Sequence, residues 1–181
     1  MRLAVRVAPI ALMAAVAAFA ASASAWSAEL APDAITEFVL AYPDHARLSD
    51  GPHRGSTHEI TFEEAGDGTL WITGQNDDSV VRMTIDGQAT YHAMPKDSGP
   101  HGIRFDGSGR LWVAFEFLGE IAQLGPDGEV VARHDIKLEC GGCVEPLNPH
   151  PHGLGIDPDG ETVWFTGKAT NTIGRLRPDG A

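Results

Sequence analysis

The stretch His101-Gly102-Ile103-Arg104-Phe105-Asp106-Gly107-Ser108-Gly109-Arg110-Leu111-Trp112-Val113-Ala114 decides the fold, because the chain contains it three times. The copies align on Trp71, Trp112 and Trp164. A histidine precedes each tryptophan: His58 by 13 residues, His101 by 11 and His152 by 12. An Asp-Gly pair follows each one 15 residues later, at Asp86-Gly87, Asp127-Gly128 and Asp179-Gly180. Fixed spacing of this kind is the mark of a repeat architecture. Within a unit, Ile103 and Phe105 alternate with polar or small neighbours, Gly107-Ser108-Gly109 turns the chain, and Arg110–Phe115 makes a second strand. Gly119–Leu124 follows, then the turn Gly125-Pro126-Asp127-Gly128, then a fourth run over Glu129–Ile136. Asp bonds its own backbone in such turns and Gly accepts positive φ. Four short strands per unit without helical period predict an all-β fold: β-propeller blades of four-stranded antiparallel sheets.

The units run over about 52–94, 95–145 and 146–181. The tryptophan spacings are 41 and 52 residues, so the longer one carries an inserted loop near 138–150, placed on one rim of the scaffold. Ile35–Leu40 reads as one further strand. Two complete units, a third without its fourth strand and one extra strand fall short of a closed ring, which takes about four to eight blades. The expectation is an incomplete ring of about three blades out of a probable seven. A second copy of the chain is one way to complete it.

The start of the chain reads differently. Arg2 and Arg6 precede an apolar run from Val7 to Ala21, and Ala23-Ser24-Ala25 has the form of a cleavage site. Residues 1–25 therefore read as a secretory signal peptide, with 26–181 the mature domain. This predicts a periplasmic or secreted protein with no membrane span after processing. The formal net charge is −12, and loss of Arg2 and Arg6 makes the mature chain more acidic. With no basic cluster to offset that charge, nucleic acid is not an expected partner. In an oxidising compartment Cys140 and Cys143 are candidates for a local disulfide, with free or metal-binding thiols as the alternative.

The first strand of each blade lines the channel, so His58, His101 and His152 are expected at one mouth on neighbouring blades. Such a cluster could hold a divalent metal or supply a base near neutral pH. The bland alternative is that each histidine only hydrogen-bonds the next blade. Glu59 adds a carboxylate in the one unit where the others have glycine. His150 shares parity with His152, and Pro149 and Pro151 stiffen the approach. Gly74–Asp78, Glu116–Leu118 and Gly167–Asn171 occupy equivalent connections between second and third strands. The tryptophans read as packing between blades. Asp157-Pro158-Asp159-Gly160 reads as a turn, since the later positions of a calcium loop are absent. No nucleophile elbow, phosphate loop or dinucleotide fingerprint is present.

Gly99-Pro100-His101-Gly102-Ile103, Gly109-Arg110-Leu111-Trp112-Val113, Pro151-His152-Gly153-Leu154 and Asn171-Thr172-Ile173-Gly174-Arg175-Leu176 together resemble the virginiamycin B lyase (streptogramin lyase) family. The resemblance covers roughly residues 35–181. It implies a seven-bladed propeller that needs Mg2+ and opens a cyclic ester by elimination, with a small-molecule cyclic ester as partner. His101 and His152 are the candidate catalytic positions that match the family's blade-start histidines; His58, Glu59 and His150 are ligand-facing candidates. The family's base and metal carboxylates belong largely to later blades, so those roles are not assigned to residues here. The alternatives are a non-catalytic binding propeller and a lactone hydrolase of related architecture.

Overall fold

A computed structural model describes residues 36–38, 40, 57–63, 66 and 68–177. The 1–25 segment, and with it the signal-peptide reading, lies outside the described residues. The chain divides into two units, Met1–Glu37 and Phe38–Ala181. Of the first, Thr36 and Glu37 are described, both exposed and outside any strand. All the sheets belong to the second.

The first sheet contains β1 (Thr57–Phe62), β2 (Leu70–Gly74), β3 (Ser79–Met83) and β4 (Ala89–Ala93), antiparallel in that order. The second repeats it with β5 (Pro100–Phe105), β6 (Leu111–Phe115), β7 (Glu120–Leu124) and β8 (Val130–Asp135). The third has β9 (Pro151–Ile156), β10 (Val163–Gly167) and β11 (Thr172–Leu176). The three sheets form an unclosed ring of propeller blades. The innermost strand β5 packs against both β1 and β9. Among the described residues no helix is long and apolar enough to cross a membrane.

The core lies between blades, and the two-residue strand period builds it. Trp71 and Val80 point from the first blade into a cluster with Ile103, Leu111, Val113, Phe115, Ala122 and Leu124 of the second. The alternate residues of the second blade, Trp112, Ala114 and Ile121, face the third and meet Leu154, Val163, Phe165 and Leu176. The middle strands of the second blade thus feed two successive cores, as alternation requires. Trp71 and Trp112 pack between blades, at 2% and 1% exposure, while Trp164, with no described blade beyond it, is 37% exposed.

An aspartate fastens the indole in the second and third blades. Asp106 Oδ2 accepts from Trp112 Nε1 at 2.9 Å and from Arg110 Nε at 2.6 Å, while its Oδ1 accepts the Ser108 and Arg110 amides. Asp157 accepts from Trp164 Nε1 at 2.8 Å. In the first blade Glu63 holds the equivalent backbone position but leans toward Arg82, and Trp71 Nε1 is buried without a hydrogen-bond partner.

Of the expected strand at Ile35–Leu40, Ile35 and Val39 lie outside the described residues, and the other four correct it. Thr36, Glu37, Phe38 and Leu40 lie outside any strand. Phe38 and Leu40 pack as side chains over the first blade: Leu40 covers Ile72, Val81 and Met83 on its outer face, and Phe38 lies over the Gly87 turn. Gly87 takes φ +89°, and a Cβ there would overlap the Phe38 ring.

The insertion closes on itself. Leu138 and Leu147 form an isolated antiparallel bridge, and Cys140 and Cys143 are disulfide-bonded within it.

Candidate functional site

Each innermost strand breaks register just where its histidine stands. The shifts fall between Thr57 and Ile60, between Pro100 and Ile103, and between Pro151 and Leu154 opposite Gly167 and Phe165. A bulge re-aims a side chain, so the repeated irregularity turns His58, His101 and His152 toward one another. In the first blade Thr73 Oγ1 fills the gap, accepting the Glu59 amide at 3.0 Å and donating to the His101 carbonyl at 2.7 Å. In the third, Thr166 Oγ1 accepts the Gly153 amide at 3.1 Å. At Gly102 the second and third blades approach closely: a Cβ there would lie 2.3 Å from the His152 carbonyl oxygen.

The three rings form a row. His58 and His101 have centroids 4.4 Å apart, and His101 and His152 are 3.4 Å apart. His101 is buried, and its Nδ1 has no hydrogen-bond partner in the protein. Burial, reinforced by the neighbouring His152 and His58, pushes its pKa down to about 4, against the pull of Glu116. His152 is also displaced downward, chiefly by burial. Like-charge crowding and desolvation both disfavour imidazolium, so both rings are neutral and their lone pairs available at pH 7.

Beneath this row lies a second one. Gln75, Glu116 and Lys168 each stand four residues after their blade's tryptophan, in the connection between second and third strands. Their heads converge on the Glu116 carboxylate, whose side chain is 3% exposed. Gln75 Nε2 donates to Oε2. Lys168 Nζ donates to Oε1 at 3.1 Å. His150 Nδ1 is 3.6 Å from Oε1 and His152 Nε2 is 3.9 Å from Oε2.

His101, Glu116 and His152 each place one donor atom within 4.8 Å of the others, a group able to hold a metal ion. A buried nitrogen lacking a partner, a second neutral imidazole and a buried carboxylate fit a divalent cation. Imidazole favours borderline ions such as Zn2+, while carboxylate suits Mg2+ and Mn2+ equally. The donor set therefore points to a divalent cation without selecting Mg2+.

His58 is exposed and stands beside this set. Glu59 is ion-paired with Arg104 at 2.9 Å. His150 is carried by the inserted loop, where it takes φ +53°. Asn148 shapes that loop: its Oδ1 accepts the His150 amide at 2.8 Å and its Nδ2 donates to the Phe117 carbonyl at 3.1 Å. The matching junction between the first two blades is fastened from the other side, where Asp78 accepts the amides of Asp97 at 2.8 Å and Gly99 at 2.9 Å. The disulfide cysteines are not part of the donor group. Glu116 stands in one of the equivalent connections but is not among the site residues expected from the sequence.

Residues 18–181 match the sequence profile of the virginiamycin B lyase family. Over 98 residues the chain is 33% identical to the virginiamycin B lyase of Nocardia farcinica (strain IFM 10152), covering 54% of this chain and 32% of that protein. A solved streptogramin B lyase matches with TM-score 0.58 and 28% identity, over 73% of this chain and 41% of that one. A catalytically inactive histidine-to-alanine variant of the Staphylococcus aureus virginiamycin B lyase, with quinupristin, matches with TM-score 0.59 and 23% identity, over 72% and 41%. The periplasmic gluconolactonase of Pseudomonas aeruginosa matches with TM-score 0.51 and 16% identity, over 74% and 39%, a likeness of fold alone. The chain spans less than half the length of each of these relatives.

Proposed function

The chain belongs to the virginiamycin B lyase family, and from that premise we propose that its site opens a cyclic ester by metal-assisted elimination. The observation that carries this reading is the convergence of His101, Glu116 and His152 from two neighbouring blades on one point. These three residues would hold the cation. When bound, it supplies a Lewis acid that polarises a carbonyl and stabilises negative charge as the adjacent proton leaves.

The remaining tasks fall to the chain. Gln75 fixes the orientation of the Glu116 carboxylate through Oε2. Thr73 ties the first blade to the His101 backbone, which holds the buried ring in place. His58 is the one blade-start histidine outside the donor set, and its exposed ring at the mouth would take the proton α to the carbonyl. In that step the C–H bond breaks, its electrons form a C=C bond, and the ester oxygen departs with the C–O pair. No water enters the product.

The test is mass spectrometry of a streptogramin B such as quinupristin incubated with the protein and Mg2+ or Mn2+. Elimination opens the ring with no change of mass. Gain of one water, or turnover undiminished by EDTA, would sink the reading and favour a lactone-hydrolase chemistry. We also place the working protein outside the cytoplasm, on the N-terminal residues that read as a signal; N-terminal sequencing of exported protein should begin near Trp26, and retention of Met1 would refute it.

A further inference from the structure

Both oxygens of Glu116 are already taken. Gln75, 9% exposed, donates to Oε2 from the first blade, and Lys168 donates to Oε1 from the third. The three positions are equivalent in their blades, so the repeat has set a neutral donor, an anion and a cation side by side. Of the two donors, only Lys168 can leave easily. Its side chain is 58% exposed, so its ammonium recovers water on release, while its stem is free to swing. Its backbone stays in place, because the Lys168 amide donates to the His150 carbonyl at 3.2 Å and the Ala169 amide to the Pro149 carbonyl at 3.0 Å. The inserted loop that carries His150 thereby also positions the lysine.

We propose that Lys168 is a built-in counter-ion for Glu116 that a divalent cation must displace, so that the lysine sets the cation concentration at which the site fills. The inference rests on the metal reading of the His101–Glu116–His152 group. An ammonium and a dication cannot both sit against one buried carboxylate without strong repulsion. Without the lysine, Glu116 keeps its Gln75 bond but loses its competing cation. A charge-assisted hydrogen bond of this kind corresponds to about a 10- to 100-fold change in an equilibrium constant.

The experiment is isothermal titration of Mn2+ into the wild-type protein, Lys168→Met, Lys168→Arg and Glu116→Gln, each checked for an unchanged circular-dichroism spectrum. Lys168→Met is expected to bind Mn2+ about 10- to 100-fold tighter than wild type. Lys168→Arg, which keeps the charge, should bind like wild type, and Glu116→Gln more weakly. If wild type binds and Lys168→Met binds equally or less tightly, the lysine inference fails while the metal reading stands. If neither binds, the metal reading fails and takes this inference with it.

Discussion

Replacing Asp106 by alanine is expected to be costly, and the cost should depend on what lies beyond the blade. The Asp106 side chain is fully buried and accepts from four donors. Its loss leaves Trp112 Nε1–H buried against the third blade without an acceptor, which costs about 1–3 kcal/mol. Arg110 is 31% exposed and recovers water, so its contribution is discounted to about 1 kcal/mol. The two turn amides are reached by solvent once the carboxylate is gone. The expected loss is about 2–4 kcal/mol. Asp157→Ala removes the same latch in the third blade, but Trp164 is 37% exposed and its N–H can turn to water. That variant should lose less than about 1 kcal/mol. Urea unfolding followed by tryptophan fluorescence measures both.

A pH arm tests the same bond. Burial raises the Asp106 pKa, but hydrogen bonds from Trp112 and Arg110 outweigh it and leave the carboxyl below its ordinary value. The unfolded carboxyl therefore takes up its proton first as the pH falls. The stabilisation is full above the ordinary carboxylate range and is lost as the pH drops through the lower folded value. The gap between wild type and Asp106→Ala should stay constant from neutral pH down to about 5 and close below about 4. Equal losses in the two alanine variants, or a gap that widens in acid, would refute the reasoning.

Gly102→Ala would set a Cβ 2.3 Å from the His152 carbonyl oxygen and 2.9 Å from the Leu154 amide nitrogen, backbone atoms that cannot step aside. It should destabilise by about 1–3 kcal/mol and weaken Mn2+ binding, since the blades carrying His101 and His152 are forced apart. Gly155→Ala, with nothing within 4 Å, is the control and should stay within about 0.5 kcal/mol. Ring-proton NMR should show His101 titrating at about 4 in the metal-free protein, and a midpoint near 6.5 would contradict its burial. Because the unfolded histidine binds its proton first, the stability His101 contributes is complete above about pH 6.5 and falls as the pH drops toward about 4.

The repeat made the blades legible because strand and turn are local matters. Alternating Ile103 and Phe105, the Asp-Gly turns and the tryptophan at fixed offset need only a few neighbouring residues to act. The same alignment brought the three histidines to one mouth, because a residue that begins the innermost strand of one blade has its counterpart beside it in the next. It did not disclose Glu116. Its position in a connecting loop says nothing about where the side chain aims, and the neighbours that capture it are Gln75, 41 residues earlier, and Lys168, 52 later. Nor could it foresee that Phe38 and Leu40 would lie over the first blade outside any strand. That outcome depends on an apolar face, at Ile72, Val81 and Met83, left for Leu40 to cover.

What the amino-acid sequence determined by itself is the blade: its strands, its turns, its tryptophan and its leading histidine, all set by interactions within a few residues. What only the tertiary structure decided is the chemistry of the mouth. There, radial packing brings side chains from the two flanking blades within about 4 Å of Glu116, and buried charge is governed by distance in space, not along the chain.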